Sequence, residues 1–319
     1  MFLKEKFIGS LMGTHAGDAL GMPVEGYQPG LIKMRWGQVT EMMDARLGRG
    51  TYTDDTEMMI AIAESLCRCK GFNGPDMAQA FLENFSSDRG YGGGTTKVLS
   101  LIKSGKPWDE AGKEVFNGGS YGNGSAMRIA PVGCLFYDKP QQLKEVAKLS
   151  SIITHRHLLG IEGAVLQSLA VAKALRIDDS KKMDPFTFLQ ELIEEFNPQS
   201  KEYKDKLYLM RKLLIKEPDK EEVIKSLGND VRAYNSVPTA IYSFLAHPDS
   251  FEEALIYAVN LGGDTDTIGA MSGAISGAYH GIRGVPVHWL EALEEGPKGR
   301  GYIKKLAKKL YDTYLYINK

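Results

Sequence analysis

Cysteine is scarce in this chain of 319 residues, with Cys67, Cys69 and Cys134 the three present. Three thiols make no disulfide framework. Cys67 and Cys69 lie in a stretch of helical periodicity, are too few for a zinc site and read as structural. Charge of one sign is not in excess either: Lys and Arg total 39 against 40 for Asp and Glu, a net −1. That balance argues against a dedicated nucleic-acid surface. Long apolar runs are missing, since the uncharged run 267–282 is rich in Gly and Ser and shorter than the ~20 residues a membrane span needs. The opening Met1-Phe-Leu-Lys-Glu-Lys-Phe carries charge where a signal peptide would carry its apolar core. No Ser-His-Asp order and no strained G-x-S-x-G elbow is visible, which disfavours nucleophilic catalysis. The expectation is a cytoplasmic monomer with no membrane contact and no direct contact to nucleic acid.

Alternating, β-rich stretches are equally rare, and 31–43 and 129–136 are the only candidates. Helical spacing of apolar residues dominates instead, over 53–70, 76–85, 140–153, 158–176, 185–196, 201–216, 221–227 and 251–259. Pro and Gly punctuate between these segments. From Lys298 onward the chain is basic, with Ile303, Leu306, Leu310 and Tyr314 on another face, which predicts an amphipathic closing helix. No low-complexity linker interrupts the pattern. The fold class expected is all-α, a compact orthogonal multi-helix bundle in one domain over 1–319.

What is abundant is glycine, and its placement is regular. Gly9, Gly13, Gly17 and Gly21 recur at every fourth position, and so do Gly269, Gly273, Gly277 and Gly281. Glycine costs roughly 1 kcal/mol against alanine inside a helix, so two such stripes need a reason. A stripe at i, i+4 clears one helix face for another backbone. The two striped helices are therefore expected to meet at the centre of the bundle; two separate close contacts with other helices is the alternative.

Two acidic clusters each open a helix: Thr51-Tyr-Thr53-Asp54-Asp55-Thr56-Glu57 and Asn260-Leu-Gly-Gly-Asp264-Thr-Asp266-Thr267. Each is explained on its own as a cap, because free N–H groups and the helix dipole favour acids in a first turn. Together they fit a two-metal centre better, since Mg²⁺ and Mn²⁺ take carboxylate and hydroxyl oxygens. Carboxylates facing one another without metal would repel or hold protons. Asp18 reads as a helix-buried, hydrogen-bonding acid. Glu25 follows Pro23 on a loop, where a carboxylate can move. Two glycine-rich stretches with aromatics, Asp88-Arg-Gly90-Tyr91-Gly92-Gly93-Gly94-Thr95 and Phe116-Asn-Gly-Gly-Ser120-Tyr121-Gly122-Asn123-Gly124, offer backbone N–H groups to phosphate and a ring to a base. Neither matches a P-loop or a Rossmann fingerprint. His155 and His157 open a further helix, where either would cap, pack or donate to phosphate.

Read in order, Gly17-Asp18-x-x-Gly21-x-x-x-Glu25, Thr53-Asp54-Asp55, Gly90-Tyr91-Gly92, Gly122-Asn123-Gly124-x-Ala126-Met127-Arg128 and Gly263-Asp264-x-Asp266-Thr267 resemble the ADP-ribosylglycohydrolases over nearly the whole chain. The Asp-Arg-Gly-Tyr-Gly and Gly-Ser-Tyr-Gly-Asn-Gly stretches resemble the serine-directed branch, ADP-ribosylhydrolase three, rather than the arginine-directed or dinitrogenase-reductase-activating branches. The resemblance implies an all-helical fold and a binuclear Mg²⁺ (or Mn²⁺) centre on Thr53, Asp54, Asp55, Asp264, Asp266 and Thr267. Glu25 matches a mobile flap glutamate, and Glu25 or Asp55 would be the acid/base helper. Gly92, Gly93, Gly94 and Thr95, with Ser120, Tyr121, Gly122, Asn123 and Gly124, would wrap the diphosphate and neighbouring ribose, and His155 would approach the phosphates. Phe116 or Tyr121 would stack on adenine; the loop between them is shorter here than that branch implies, which leaves both open. The implied substrate is an ADP-ribosylated protein or an ADP-ribose derivative, with serine-linked ADP-ribose first and the polymer or O-acetyl-ADP-ribose beside it. An arginine-directed hydrolase, a non-catalytic ADP-ribose-binding relative and another two-metal hydrolase such as a phosphatase or phosphodiesterase are the rivals.

Overall fold

The computed structural model describes residues 3–178 and 182–319, and everything below concerns those residues. They form seventeen α-helices and no β-strand. The sequence order is α1 (Leu3–Gly21), α2 (Pro29–Trp36), α3 (Asp54–Cys69), α4 (Gly74–Asn84), α5 (Gly93–Lys103), α6 (Ala111–Val115), α7 (Ala130–Leu135), α8 (Pro140–Ile152) and α9 (Leu158–Arg176). After these come α10 (Pro185–Phe196), α11 (Lys201–Lys216), α12 (Lys220–Leu227), α13 (Ala233–Ala246), α14 (Phe251–Val259), α15 (Thr265–His280), α16 (Val287–Ala292) and α17 (Arg300–Ile317). Their buried apolar side chains make one continuous core running from Phe7 to Leu310.

At the centre α1 and α15 run antiparallel and in register. A Cβ added to Gly13 would land on the Gly273 carbonyl, one on Gly17 would land on Gly269, and one on Gly9 would land on Gly277. The two stripes therefore meet each other along their whole length instead of each packing on a third helix. Polar side chains seal the seam, with Ser10 Oγ donating to the Ala274 carbonyl at 3.0 Å and Thr265 Oγ1 to the Gly21 carbonyl at 2.8 Å. Burial on all sides explains why α1 shows no amphipathic pattern: every residue from Lys6 to Gly21 is buried.

Several helix limits follow from local chemistry. Thr53 Oγ1 accepts from the Asp55 N–H, Asp184 caps α10, Ser200 caps α11 and Ser250 caps α14. Neither stretch expected as a strand is one. Within 31–43 the chain continues α2 to Trp36 before an irregular loop, and α7 occupies most of 129–136. Their short apolar runs are buried helix faces, which periodicity alone does not separate from strands. α13 was not anticipated because Pro238 sits inside it, where proline normally ends a helix. α9 is long and apolar enough to cross a membrane, a property the search for uncharged runs passes over because Glu162 and Lys173 interrupt it. Here most of it is packed inside the protein, and Glu162 accepts from the Gln199 and Ser200 N–H groups at the start of α11.

Candidate active site

The antiparallel pairing of α1 and α15 places the C-terminal end of one beside the N-terminal end of the other. Past Gly21 a single 3-10 turn, Met22–Val24, delivers Glu25 to the entrance of α15. The loop is tied down by backbone hydrogen bonds, Gly26 N–H to the Gly263 carbonyl at 2.7 Å and Gly263 N–H to the Tyr27 carbonyl at 2.9 Å. Gly262 and Gly263 both have positive φ, 68° and 75°. A Cβ at Gly263 would land on the Asn229 carbonyl, so this turn tolerates only glycine there. The geometry brings carboxylate oxygens of Glu25, Asp264 and Asp266 within 4.8 Å of one another.

The other acidic cluster is brought in by Asp18. It is fully buried on α1 and accepts from the Thr53 N–H at 3.0 Å, the Thr56 N–H at 3.1 Å and the Thr56 hydroxyl at 2.6 Å. The first turn of α3 is thereby fixed to α1, and Asp54 and Asp55 come to face α15. Thr267 Oγ1 donates to Asp55 Oδ1 at 3.4 Å across 212 residues of sequence. Asp55 Oδ2 is buried with no hydrogen-bond partner.

One cavity of about 300 Å³ unites these groups. Of the expected residues it is lined by Glu25, Asp54, Asp55, Asp264, Asp266 and Thr267, and by Gly92, Gly94, Thr95, Phe116, Ser120, Gly122, Asn123, Gly124 and His155. Thr53, Gly93 and Tyr121 lie outside the lining. Thr53 is buried beneath it, with its hydroxyl engaged in the α3 cap. Tyr121 packs on His157 and Tyr234, with ring centroids 5.5 and 6.4 Å away. Phe116 lies against Gly94 at the cavity wall and is half exposed, which makes it the better placed of the two aromatics for a flat ligand. A roomier groove of about 800 Å³ between α4 and α5 is lined by a single carboxylate, Glu83, and brings no acidic cluster together.

Gly90 and Met127 stood in the quoted motifs without a site role and prove to line the cavity, and Thr154 and Val231 line it unanticipated. Val231 comes in because Asn123 N–H donates to its carbonyl at 2.9 Å and Ala233 N–H to the Tyr121 carbonyl at 3.0 Å, a pairing of two loops distant in sequence. Nothing local in the sequence signals it. Arg128 was visible only as part of a motif. It is fully buried, lies over the Phe81 ring at 4.6 Å and donates to Thr154 Oγ1 at 2.8 Å and the Ser150 carbonyl at 3.2 Å. Burial pushes its guanidinium down to about 9, with Tyr91 and Asp54 opposing.

Electrostatically the site is a pit of like charge. Burial first, and Asp18 next, push Asp54 up to about 8. Burial also raises Asp264 to about 6, against the opposing donation of Asn123 Nδ2. Asp55 and Asp266 rise well above the carboxylate range, Asp55 through burial and then Asp266, Asp266 through burial and then Asp264 and Glu25. His155 moves the opposite way, to about 3, because burial and the nearby Arg128 both disfavour its cation. Its Nδ1 lies 2.7 Å from Thr154 Oγ1, and its Nε2 edge faces Gly122 and Gly124.

Buried carboxylates that repel one another, an orphaned carboxylate oxygen and glycine-rich loops around a single cleft define a hydrolase-type pocket suited to hard cations. Comparison with known proteins agrees. The ADP-ribosylglycohydrolase family model matches residues 1–316, and the chain belongs to that family. It is 36% identical to the mouse (Mus musculus) ADP-ribosylhydrolase ARH3 over 91% of this chain and 87% of that one. An uncharacterized protein of Archaeoglobus fulgidus is 35% identical with 99% of both chains covered. A solved structure titled ADP-ribosylglycohydrolase-related protein complex superposes with a TM-score of 0.76 at 28% identity, covering 98% of this chain and 99% of that one.

Proposed function

We propose that this family member is a divalent-metal-dependent hydrolase that removes ADP-ribose from modified proteins, with the serine-linked form as its first substrate. The observation that carries the reading is the convergence of Glu25, Asp54, Asp55, Asp264 and Asp266 on one cavity walled by glycine-rich loops. The donor set fits two Mg²⁺ ions, or Mn²⁺, on Asp54, Asp55, Asp264, Asp266 and Thr267, with Thr53 contributing through the lone pair its cap leaves free. Every donor is a hard oxygen, and the unpartnered Asp55 Oδ2 needs a cation or a proton. The chemistry such ions supply is neutralisation of the carboxylates and orientation of the hydroxyls of the distal ribose.

The chain's own groups do the rest. Backbone N–H groups of 92–95 and of Gly124 face the diphosphate, those of Gly122 and Asn123 being held by Ser120 Oγ and the Val231 carbonyl, and Phe116 offers its ring to adenine. Thr154 accepts from Arg128 and has its own proton left for His155 Nδ1, so the neutral imidazole turns Nε2–H toward a phosphate oxygen. Breaking the bond between the anomeric carbon and the protein side chain gives oxocarbenium character at that carbon. Glu25 or Asp55 acts as the acid/base helper: its carboxylate takes a proton from the attacking water, and that same proton is passed on to the departing oxygen.

Identical peptides ADP-ribosylated on serine, on arginine or as an acyl ester, incubated with enzyme and Mg²⁺, test this by product mass. Free ADP-ribose released from the serine-linked peptide is expected. Release of AMP or phosphate would identify a phosphodiesterase or phosphatase, and tight binding without turnover an ADP-ribose reader.

A further inference from the structure

Nothing in the acid cluster itself says which leaving group the site accepts; the rim does. Glu25 is the exposed carboxylate of the cavity, and its Oε2 lies 4.0 Å from Arg46 Nη2. Arg46 belongs to the irregular loop between α2 and α3, and its Nη1 donates to the Asp88 carbonyl at 3.2 Å. Its guanidinium lies over Gly90, a lining residue at φ 92°, where any Cβ would collide with Nη2. A single arginine thus spans the mouth from the Glu25 loop to the Gly90 loop, at the acidic end of the cavity. Phe116, against Gly94, and His155, against Gly122 and Gly124, line the same cavity.

This arrangement bears on the leaving group. With adenine and diphosphate at the glycine loops and the distal ribose over the carboxylates, the amino-acid side chain leaves past Glu25 and Gly90. An exposed carboxylate at that exit is the natural partner for a departing guanidinium. Here an internal guanidinium already occupies its outer side. Resting on the hydrolase reading above, we propose that Arg46 is a specificity-determining residue, whose charge at the cavity mouth disfavours a cationic, arginine-type leaving group and leaves a neutral hydroxyl-type one unaffected. Exposed ion pairs contribute little to stability. The effect of Arg46 is therefore expected in the ratio between substrates and not in the fold.

The test compares one peptide sequence carrying ADP-ribose on serine or on arginine. Turnover with Mg²⁺ is measured for the wild type, Arg46→Gln, Arg46→Glu and Arg46→Lys, at low and high salt. Calorimetric binding of both peptides is measured for the same set in an Asp55→Asn background, which reads the contrast without turnover. Arg46→Gln should shift kcat/KM and affinity toward the arginine-linked peptide by about five-fold, and Arg46→Glu further. Serine-linked turnover should change by less than about three-fold, Arg46→Lys should keep the wild-type ratio, and high salt should shrink the wild-type preference. Unchanged ratios in both Arg46→Gln and Arg46→Glu would overturn the proposal, as would Arg46→Lys behaving like Arg46→Gln, or a wild type that prefers the arginine-linked peptide. Absence of turnover on both linkages overturns the hydrolase reading instead, while the binding ratios still judge Arg46.

Discussion

Asp18 is absent from the cavity wall, yet the geometry of the site depends on it. Three donors from Thr53 and the first turn of α3 converge on its carboxylate, so the positions of Asp54 and Asp55 are set from α1. Replacing it by asparagine keeps the shape and removes half of the acceptor capacity. Asp18→Asn should lower Mg²⁺ affinity by about 10- to 100-fold in a calorimetric titration, as loss of an orienting partner of metal ligands generally does. An unchanged affinity would show that α3 holds its acids without α1. Thr154 plays the corresponding part for His155. If its hydroxyl fixes the imidazole so that Nε2–H faces the phosphates, Thr154→Val should raise KM by about ten-fold with kcat little changed. A fall in kcat at constant KM would place His155 at the chemical step instead.

Among the elements, the α1–α15 pair decides most. Its glycines let two backbones approach so closely that no side chain fits between them, and the pairing puts Glu25 next to Asp264 and Asp18 under Asp54. Gly13→Ala or Gly273→Ala should destabilise the protein by about 3 kcal/mol or more, because the intruding carbon meets a carbonyl that cannot move without shifting a whole helix. Thermal unfolding of the purified variants measures this, and a loss under about 1 kcal/mol would mean the pair can slide apart. That each stripe meets a backbone was legible from the glycine spacing; that the two stripes meet each other was one of two open readings, and the structure selects it. Amphipathic surface helices such as α10, α11 and α14 were legible as well, through caps and clean periodicity. α13 was not, because a buried helix needs no polar face and Pro238 sits inside it. The stretches 31–43 and 129–136 failed as strands for the related reason that short apolar runs carry no period.

For the whole molecule, the charge pit ties stability to pH. Burial raises Asp18 and Asp264 to about 6 and Asp54 to about 8. The unfolded chain releases those protons near pH 4. These acids make the folded, metal-free protein bind more protons than the unfolded chain. His15 and His155, which burial holds down to about 3, do the opposite below about pH 6.5. The net fall in stability is therefore expected as pH rises from about 6.5 to 8, where the histidines are neutral in both states and Asp54 still holds its proton only in the folded one. Unfolding scans in chelator should show Tm declining over that range, and Mg²⁺ should restore most at the alkaline end, where the carboxylates are ionised and unneutralised. A Tm that climbs across that range in chelator would contradict the clustering. The acids themselves were legible in the sequence, as two Thr/Asp runs at helix starts. Their union in one centre was expected too, from the pairing of the two runs and from the resemblance. How it is built was not legible, because it depends on Asp18 and on the register of two glycine stripes, and the loop pairing that brings in Val231 has no local signature. Arg46 was equally silent, an arginine in an irregular loop until folding set it beside Glu25.

The central claim is that carboxylates from opposite ends of the chain hold divalent cations in one pocket. Calorimetric titration of the metal-free protein with Mg²⁺, alongside Asp54→Asn and Asp266→Asn, tests it directly. The wild type is expected to bind two ions, and either substitution to weaken binding by about 100-fold or more. A wild type that takes up no Mg²⁺, or variants from both clusters that bind as tightly as the wild type, would contradict it.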